Sequence, residues 1–147
     1  MNTDNLALSA LILGASGQLI TEIDRGTRAA GFTDLRPTHG FIFARIASGP
    51  VGVTDIADHL GVTKQAASQL VDELVRKGYV NKCPHPTDAR AKLIVLTDRG
   101  TAATEAADRA ASDAVAQWRR KLDDATITRL REALSTVVST GPIRPSW

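Results

Sequence analysis

The sequence is short of several things that proteins of its length commonly exploit. It holds a single cysteine, Cys83, in 147 residues. An internal disulfide is therefore excluded, and a reducing cytoplasm is the expected setting. Aromatic residues make up only 4% of the chain, so the core must rest on Leu, Ile, Val and Ala. The first apolar run is preceded by an acidic residue and by no Lys or Arg, whereas a secretory leader needs positive charge there. No run approaches the ~20 apolar residues of a bilayer span, so no membrane partner is expected. A Gly-rich phosphate loop, a His and carboxylate at useful spacing, and a plausible nucleophile are all missing, so the chain does not read as an enzyme. His39, His59 and His85 stand with Cys83 in no ligand spacing such as His-x-x-x-His or Cys-x-x-Cys. No metal and no cofactor are called for.

What is present suits one globular domain spanning 1–147, with 43% hydrophobic and 23% charged residues. A net charge of +2 with a pI near 9.0 permits a nucleic-acid partner without arguing for one. At the N-terminus, Leu6, Leu8, Leu11, Ile12, Leu19, Ile20 and Ile23 recur at largely helical spacing, weakened by Gly14 and Gly17 and ended by Gly31. Pro37 then opens a helix whose expected buried side is Phe41, Ile42, Ala44 and Ile46, and Gly49-Pro50 stops it. From Asp98 the chain is rich in Ala and reads as a long helix. A last helix follows, capped by Asp123 or Asp124, with Ile127, Leu130, Leu134, Val137 and Val138 on one side. Gly141-Pro142 closes it, and Trp147 in the tail is free to dock.

The informative stretch is "TDIADHLGVTKQAASQLVDELVRKGYV", Thr54 to Val80. Thr54 is placed to cap a short helix whose inner residues are Ile56, Ala57 and Leu60. Gly61 supplies the positive φ of a tight joint, and small Ala57 lets a second helix approach. Val62 is expected to fill the angle between the helices. Thr63 caps the second helix, with Ala67, Leu70, Val71 and Leu74 inside and Lys64, Gln65, Ser68, Gln69 and Asp72 outside. A helix-turn-helix puts the start of its second helix in the DNA major groove. There Gln suits adenine, Lys suits guanine, and small residues such as Ala66 and Ser68 allow close approach. On residue types alone, a solvated helix face has equal weight.

The next segment shifts that balance. Gly78-Tyr79-Val80 leaves the helix for a strand, and "KLIVL", Lys92 to Leu96, is a β-branched partner strand. Between them lies a stiff loop with Pro84 and Pro86, and Lys82, Arg90 and Lys92 make the hairpin basic. A helix-turn-helix followed by a basic hairpin is a winged helix, and an Arg at the tip suits a narrow minor groove. Asp88 is placed either to hold the Arg90 guanidinium bidentately or to make only a surface ion pair.

The run from Val53 to Gly100, with its Gly-Tyr-Val exit, Asp-x-Arg wing tip (Asp88, Arg90) and Leu-Thr-x-x-Gly end (Leu96, Thr97, Gly100), resembles the MarR family of bacterial transcription regulators. The resemblance implies a mainly α fold with a small β-wing. A winged helix-turn-helix at about 37–100 would be flanked by dimerisation helices at about 5–30 and 101–140. It implies a homodimer on double-stranded DNA with an inverted repeat, acting as a repressor released by a small-molecule effector, aromatic or anionic, or by oxidation. DNA contacts would come from Thr63, Lys64, Gln65, Ser68 and Gln69 in the major groove and from Asp88, Arg90 and Lys92 on the wing. Thr54 and Lys82 would meet the phosphate backbone. It also implies a ligand pocket, with Arg28, Arg36, His39 and Arg45 as anion contacts; Trp118 is favoured as dimer core over ligand stack.

The sequence departs from the family pattern in places. Ala89 stands where the wing often has a first arginine, and Gln69 and Glu73 stand where the recognition helix often has Arg. From Val51 to Gly100, seven Lys or Arg face six Asp or Glu, so modest affinity and a shallow salt slope are expected. That balance keeps a second class in view, a winged-helix module that binds protein. Cys83 has a redox-sensor reading beside Lys82 and His85, with a small half-buried hydrophobe favoured over it. His59 is expected at the surface or facing phosphate.

Overall fold

The computed structural model describes residues 2–138. The closing Gly141-Pro142, the tail with Trp147 and the last two residues of the expected 101–140 helical region lie outside them. In chain order the elements are α1 (Thr3–Ala29), α2 (Pro37–Ala47), α3 (Val53–Leu60), α4 (Lys64–Arg76), β1 (Val80–Pro84), β2 (Lys92–Leu96), α5 (Asp98–Trp118) and α6 (Asp124–Val137). This is the expected mainly α fold with a small β-wing.

Local chemistry fixes most boundaries. Asn2 Oδ1 accepts from the Asp4 N–H at 3.0 Å, and Asp123 Oδ1 accepts from the Thr126 N–H at 2.8 Å. Thr97 Oγ1 accepts from the Gly100 N–H at 3.1 Å and donates to the Gly78 carbonyl at 2.7 Å. Each satisfies an amide left free at a helix start. Pro37 is the first residue of α2, as its fixed φ favours. Gly14 and Gly17 do not interrupt α1.

One core joins the winged unit. Ile42, Phe43 and Ile46 of α2 meet Ile56, Ala57 and Leu60 of α3 and Ala67, Val71 and Leu74 of α4. Tyr79, Val80 and Ile94 close it from the hairpin, and Ala103 from α5. Two expectations need correcting here. Ala44 is exposed and Phe43 takes its place inside, because α2 turns its 42, 43 and 46 positions inward. Val62 is exposed rather than wedged between helices, since the left-handed Gly61 turns it outward.

The hairpin is antiparallel, with Val80 opposite Leu96 and Cys83 opposite Leu93. A third, single-residue strand was not foreseen. Val51 bridges Ile94, donating to its carbonyl at 3.4 Å and accepting from its N–H at 2.7 Å. This ties the wing's base to the α2–α3 connection. Where the hairpin's base meets α5, Gly100 is packed so closely that a Cβ there would lie 2.1 Å from the Tyr79 carbonyl oxygen.

The flanking helices α1 and α5 pack on each other through small residues. A Cβ on Gly26 would fall 2.4 Å from the Ala110 Cβ. The first half of α1 buries nothing: Leu6, Leu8, Leu11, Ile12 and Leu13 are all exposed, Leu11 by 70%. Leu130, Val137 and Val138 at the chain's other end are likewise exposed. By length and composition α1 is apolar enough to cross a membrane, with none of its apolar stretch buried. That corrects the expectation that no such segment exists. Ala, Gly and Ser between the leucines break any unbroken apolar run, but they do not make the helix polar.

Candidate nucleic-acid interface

The joint between α3 and α4 is built as its sequence requires. Gly61 is left-handed, φ 65° and ψ 35°. The Val62 N–H closes the helix end on the Ala57 carbonyl at 3.0 Å. The cap of α3 is Gly52 and not Thr54: the Gly52 N–H donates to Asp55 Oδ2 at 3.0 Å. The helix starts two residues earlier than expected because Asp55, three residues on from Gly52, reaches back to that amide. Thr54 is left in the first turn, exposed. Thr63 caps α4, accepting from the Ala66 N–H at 3.1 Å.

This cap holds the outward face of α4 in place. Lys64, Gln65 and Gln69 are exposed, and Ser68 is half-buried beside them. None of the four side chains has a hydrogen bond or ion pair among the described residues. Their donors and acceptors stand ready on one helix tip.

The wing tip is ordered by its own side chains. His85 Nδ1 accepts from the Thr87 and Asp88 N–H groups, each at 3.2 Å. Asp88 Oδ1 accepts from the backbone N–H of Arg90 at 3.0 Å. The expected Asp88–guanidinium pair is therefore corrected: the carboxylate shapes the loop, as Asp does in tight turns. The Arg90 side chain is exposed and has no carboxylate partner among the described residues. Lys92, at the start of β2, is also exposed. Lys82 is not free for phosphate, because its Nζ lies 2.6 Å from Asp72 Oδ1 on α4. Cys83 is half-buried, and His59 is half-buried with its Nε2 enclosed and without a hydrogen-bond partner among the described residues. The His59 ring is thus not turned out to the surface.

Behind α4 lies a polar network that the sequence did not reveal. Glu73 accepts from Arg36 Nη2 at 2.6 Å and from Lys77 Nζ at 2.9 Å. His39 is fully buried. Its Nδ1 accepts from the Arg36 N–H at 3.0 Å, and its Nε2 faces Glu73 at 3.4 Å. The ring is thus neutral with its proton on Nε2, and burial pushes its pKa below the usual value. The Lys77 hydrogen bond, joined by that from Arg36, holds the Glu73 carboxyl at about 2. A second cluster adjoins it. The Tyr79 hydroxyl donates to Asp34 Oδ1 at 2.5 Å and accepts from Arg99 Nη2 at 3.0 Å. The Arg99 guanidinium sits 4.4 Å from the Tyr79 ring centre, and Lys77 also donates to the Asp34 carbonyl at 2.5 Å. Glu73 thus points to the protein's interior polar network rather than to DNA.

A cavity of about 220 Å³ opens between α1, α2 and α5. Its walls include Ile20, Ile23, Leu35, Phe41 and Phe43, with Asp24, Arg36 and Asp108 as the charged lining groups. Of the five expected pocket residues, only Arg36 lines it. His39 is consumed in the network beneath, and Arg28 pairs with Asp24 at 2.9 Å. Arg45 and Trp118 lie elsewhere, both half-buried.

The short helix joint, the exposed second-helix tip and the bridged hairpin define a winged helix-turn-helix protein. Residues 31–91 match the model of the MarR family. That match covers the winged unit, less than half of the chain, and the winged unit is similar to that of the MarR family. Among relatives, the HTH-type transcriptional regulator SarT of Staphylococcus aureus is 37% identical over 49 residues, 33% of this chain and 42% of that protein. The match therefore spans less than half the length of that relative. The solved structure of RV1404 from Mycobacterium tuberculosis is 23% identical, with a TM-score of 0.76 over 92% of each chain. A mutant MarR from E. coli complexed with operator DNA is 21% identical, with a TM-score of 0.73 over 92% of this chain and 96% of that one. At these identities the structures establish a shared fold.

Proposed function

We propose that the chain is a dimeric, sequence-specific double-stranded DNA-binding transcriptional regulator. The observation that carries this reading is the tip of α4. Lys64, Gln65, Ser68 and Gln69 form one capped, rigid surface whose side-chain polar groups have no partner among the described residues, while Asp72 and Glu73 farther along the helix are paired with Lys82, Arg36 and Lys77. Arg90 projects from the wing beside it. Such a tip offers donors and acceptors to base edges in the major groove, and the wing offers a guanidinium to the minor groove. That a similar fold has been solved on operator DNA supports the reading.

A second copy of the chain is the proposed cover for the exposed leucines of α1 and the exposed end of α6. Exposed apolar side chains gathered in this way mark an interaction site. Two-fold pairing would set two α4 tips ~34 Å apart, one turn of DNA, on an inverted repeat. A small molecule in the cavity beside Arg36 would shift the pair to a geometry with lower DNA affinity, by its differential binding to the two states. Selection of bound duplexes from a random pool tests the core claim. Recovery of an inverted repeat with half-sites one helical turn apart is the expected result, and a pool without enrichment at low salt would refute it.

A further inference from the structure

The charges that line the cavity differ from what an anionic effector needs. Arg36, its one lining cation, is drawn to Glu73 on α4 at 2.6 Å. Of the two lining carboxylates, Asp24 is taken by Arg28 at 2.9 Å. Asp108 on α5 is exposed and has no hydrogen bond or ion pair among the described residues. The charge left unanswered in the lining is therefore negative. An anion would have to break the Arg36–Glu73 contact and sit near Asp108, whereas a cation meets a free carboxylate.

The rest of the lining favours the same charge. Two phenylalanines, Phe41 and Phe43, contribute to it, and the faces of aromatic rings attract cations. Ile20, Ile23, Leu35, Ala103 and Ala107 supply apolar wall. The volume of about 220 Å³ exceeds the ~150 Å³ of a cavity that accepts benzene. It falls below the ~300–1,000 Å³ of sites for drug-sized ligands. That size fits one ring with a short substituent. We propose that the cavity binds a small aromatic ammonium ion, its ring against the α1, α2 and α5 walls and its charge toward Asp108. This deepens the effector half of the function proposed above and rests on it only for the consequence at DNA.

The test measures binding to the full-length protein alone, so that its outcome is separate from any failure of DNA binding, which the duplex selection reads. Benzyltrimethylammonium, its uncharged carbon isostere neopentylbenzene, and benzoate are titrated by calorimetry or ligand-detected NMR. The expected order puts the ammonium about tenfold tighter than the neutral isostere, from the combined carboxylate and ring attraction, with benzoate weakest. Asp108→Asn, an isosteric change at an exposed position, should remove most of the ammonium's advantage while leaving the isostere's affinity unchanged. Asp113→Asn, on the same helix outside the cavity lining, should change neither. Ala107→Leu, which fills the cavity, should abolish binding of both. Benzoate binding as tightly as the ammonium, or an ammonium preference untouched by Asp108→Asn, would overturn the assignment.

Discussion

Arg36 Nη2 at the start of α2 lies 2.6 Å from Glu73 Oε2 near the end of α4, across 37 positions of sequence. Arg36 also lines the cavity, so one ion pair touches both the proposed effector site and the recognition helix. Glu73 is in turn held by Lys77 and faces buried His39. The carboxylate is the hub through which a displaced Arg36 would be felt by α4.

Glu73→Gln removes the charge that answers Arg36 and Lys77 while keeping the side chain's size. Loss of these charge-assisted contacts should destabilise the fold by about 1–3 kcal/mol. Urea denaturation followed by circular dichroism measures it. An unchanged midpoint would show that the network contributes nothing net.

The same network sets a pH dependence. Glu73 has an ordinary value of 4.5 and a folded value of about 2. Its stabilisation is complete above 4.5 and is lost as pH falls through 2. Asp34 acts in the same direction, because the Tyr79 hydroxyl lowers its pKa. His39 is lowered from 6.5 by burial, so below 6.5 the unfolded chain binds the proton that the fold refuses, and stability falls there too. Melting temperature should therefore decline as pH drops below 6.5 and decline further below 4.5. In His39→Gln the first decline should be smaller.

At the interface, Lys64→Ala and Arg90→Ala should each weaken duplex binding roughly tenfold. Lys82→Ala should do less, since Lys82 is already engaged by Asp72 at 2.6 Å. If Lys64 meets a phosphate, its loss should also lower the salt slope by about 0.9. Fluorescence anisotropy at several salt concentrations separates these effects.

Gly100→Ala should be poorly tolerated although α5 would gain helix propensity. The new Cβ would lie 2.1 Å from the Tyr79 carbonyl oxygen, which is backbone and accepts from the Thr97 N–H at 3.0 Å. A loss of about 1–3 kcal/mol is expected from forcing the hairpin and α5 apart, measured by denaturation. Gly14→Ala, where a Cβ meets nothing within 4 Å, should instead leave the fold intact and raise its stability slightly.

Much of the winged unit was legible because it is written in local rules. The inner face of α4, the αL turn at Gly61, the Thr63 cap and the strand Lys92–Leu96 follow from spacing, a glycine and β-branched residues. The exposure of Lys64, Gln65, Gln69 and Arg90, the proposed interface residues, was readable for the same reason: they sit on the side of a local pattern that the core does not use. What was missed is long-range or decided by competition. The Asp34–Tyr79 hydrogen bond spans 45 residues, and no periodicity announces it. Thr54 loses its capping role to Gly52 because Asp55 reaches back to that amide. Arg28 and His39 look available as ligand groups in sequence, but Asp24 and Glu73 claim them in the fold.

The lone thiol has a practical side. Cys83 stands in the wing, opposite Leu93, and no other cysteine competes for a reagent. A nitroxide attached there would report, in a paired assembly, a single spacing from one hairpin to the other. The natural chain thus offers a ready molecular ruler for the proposed motion between a DNA-competent arrangement and a released one.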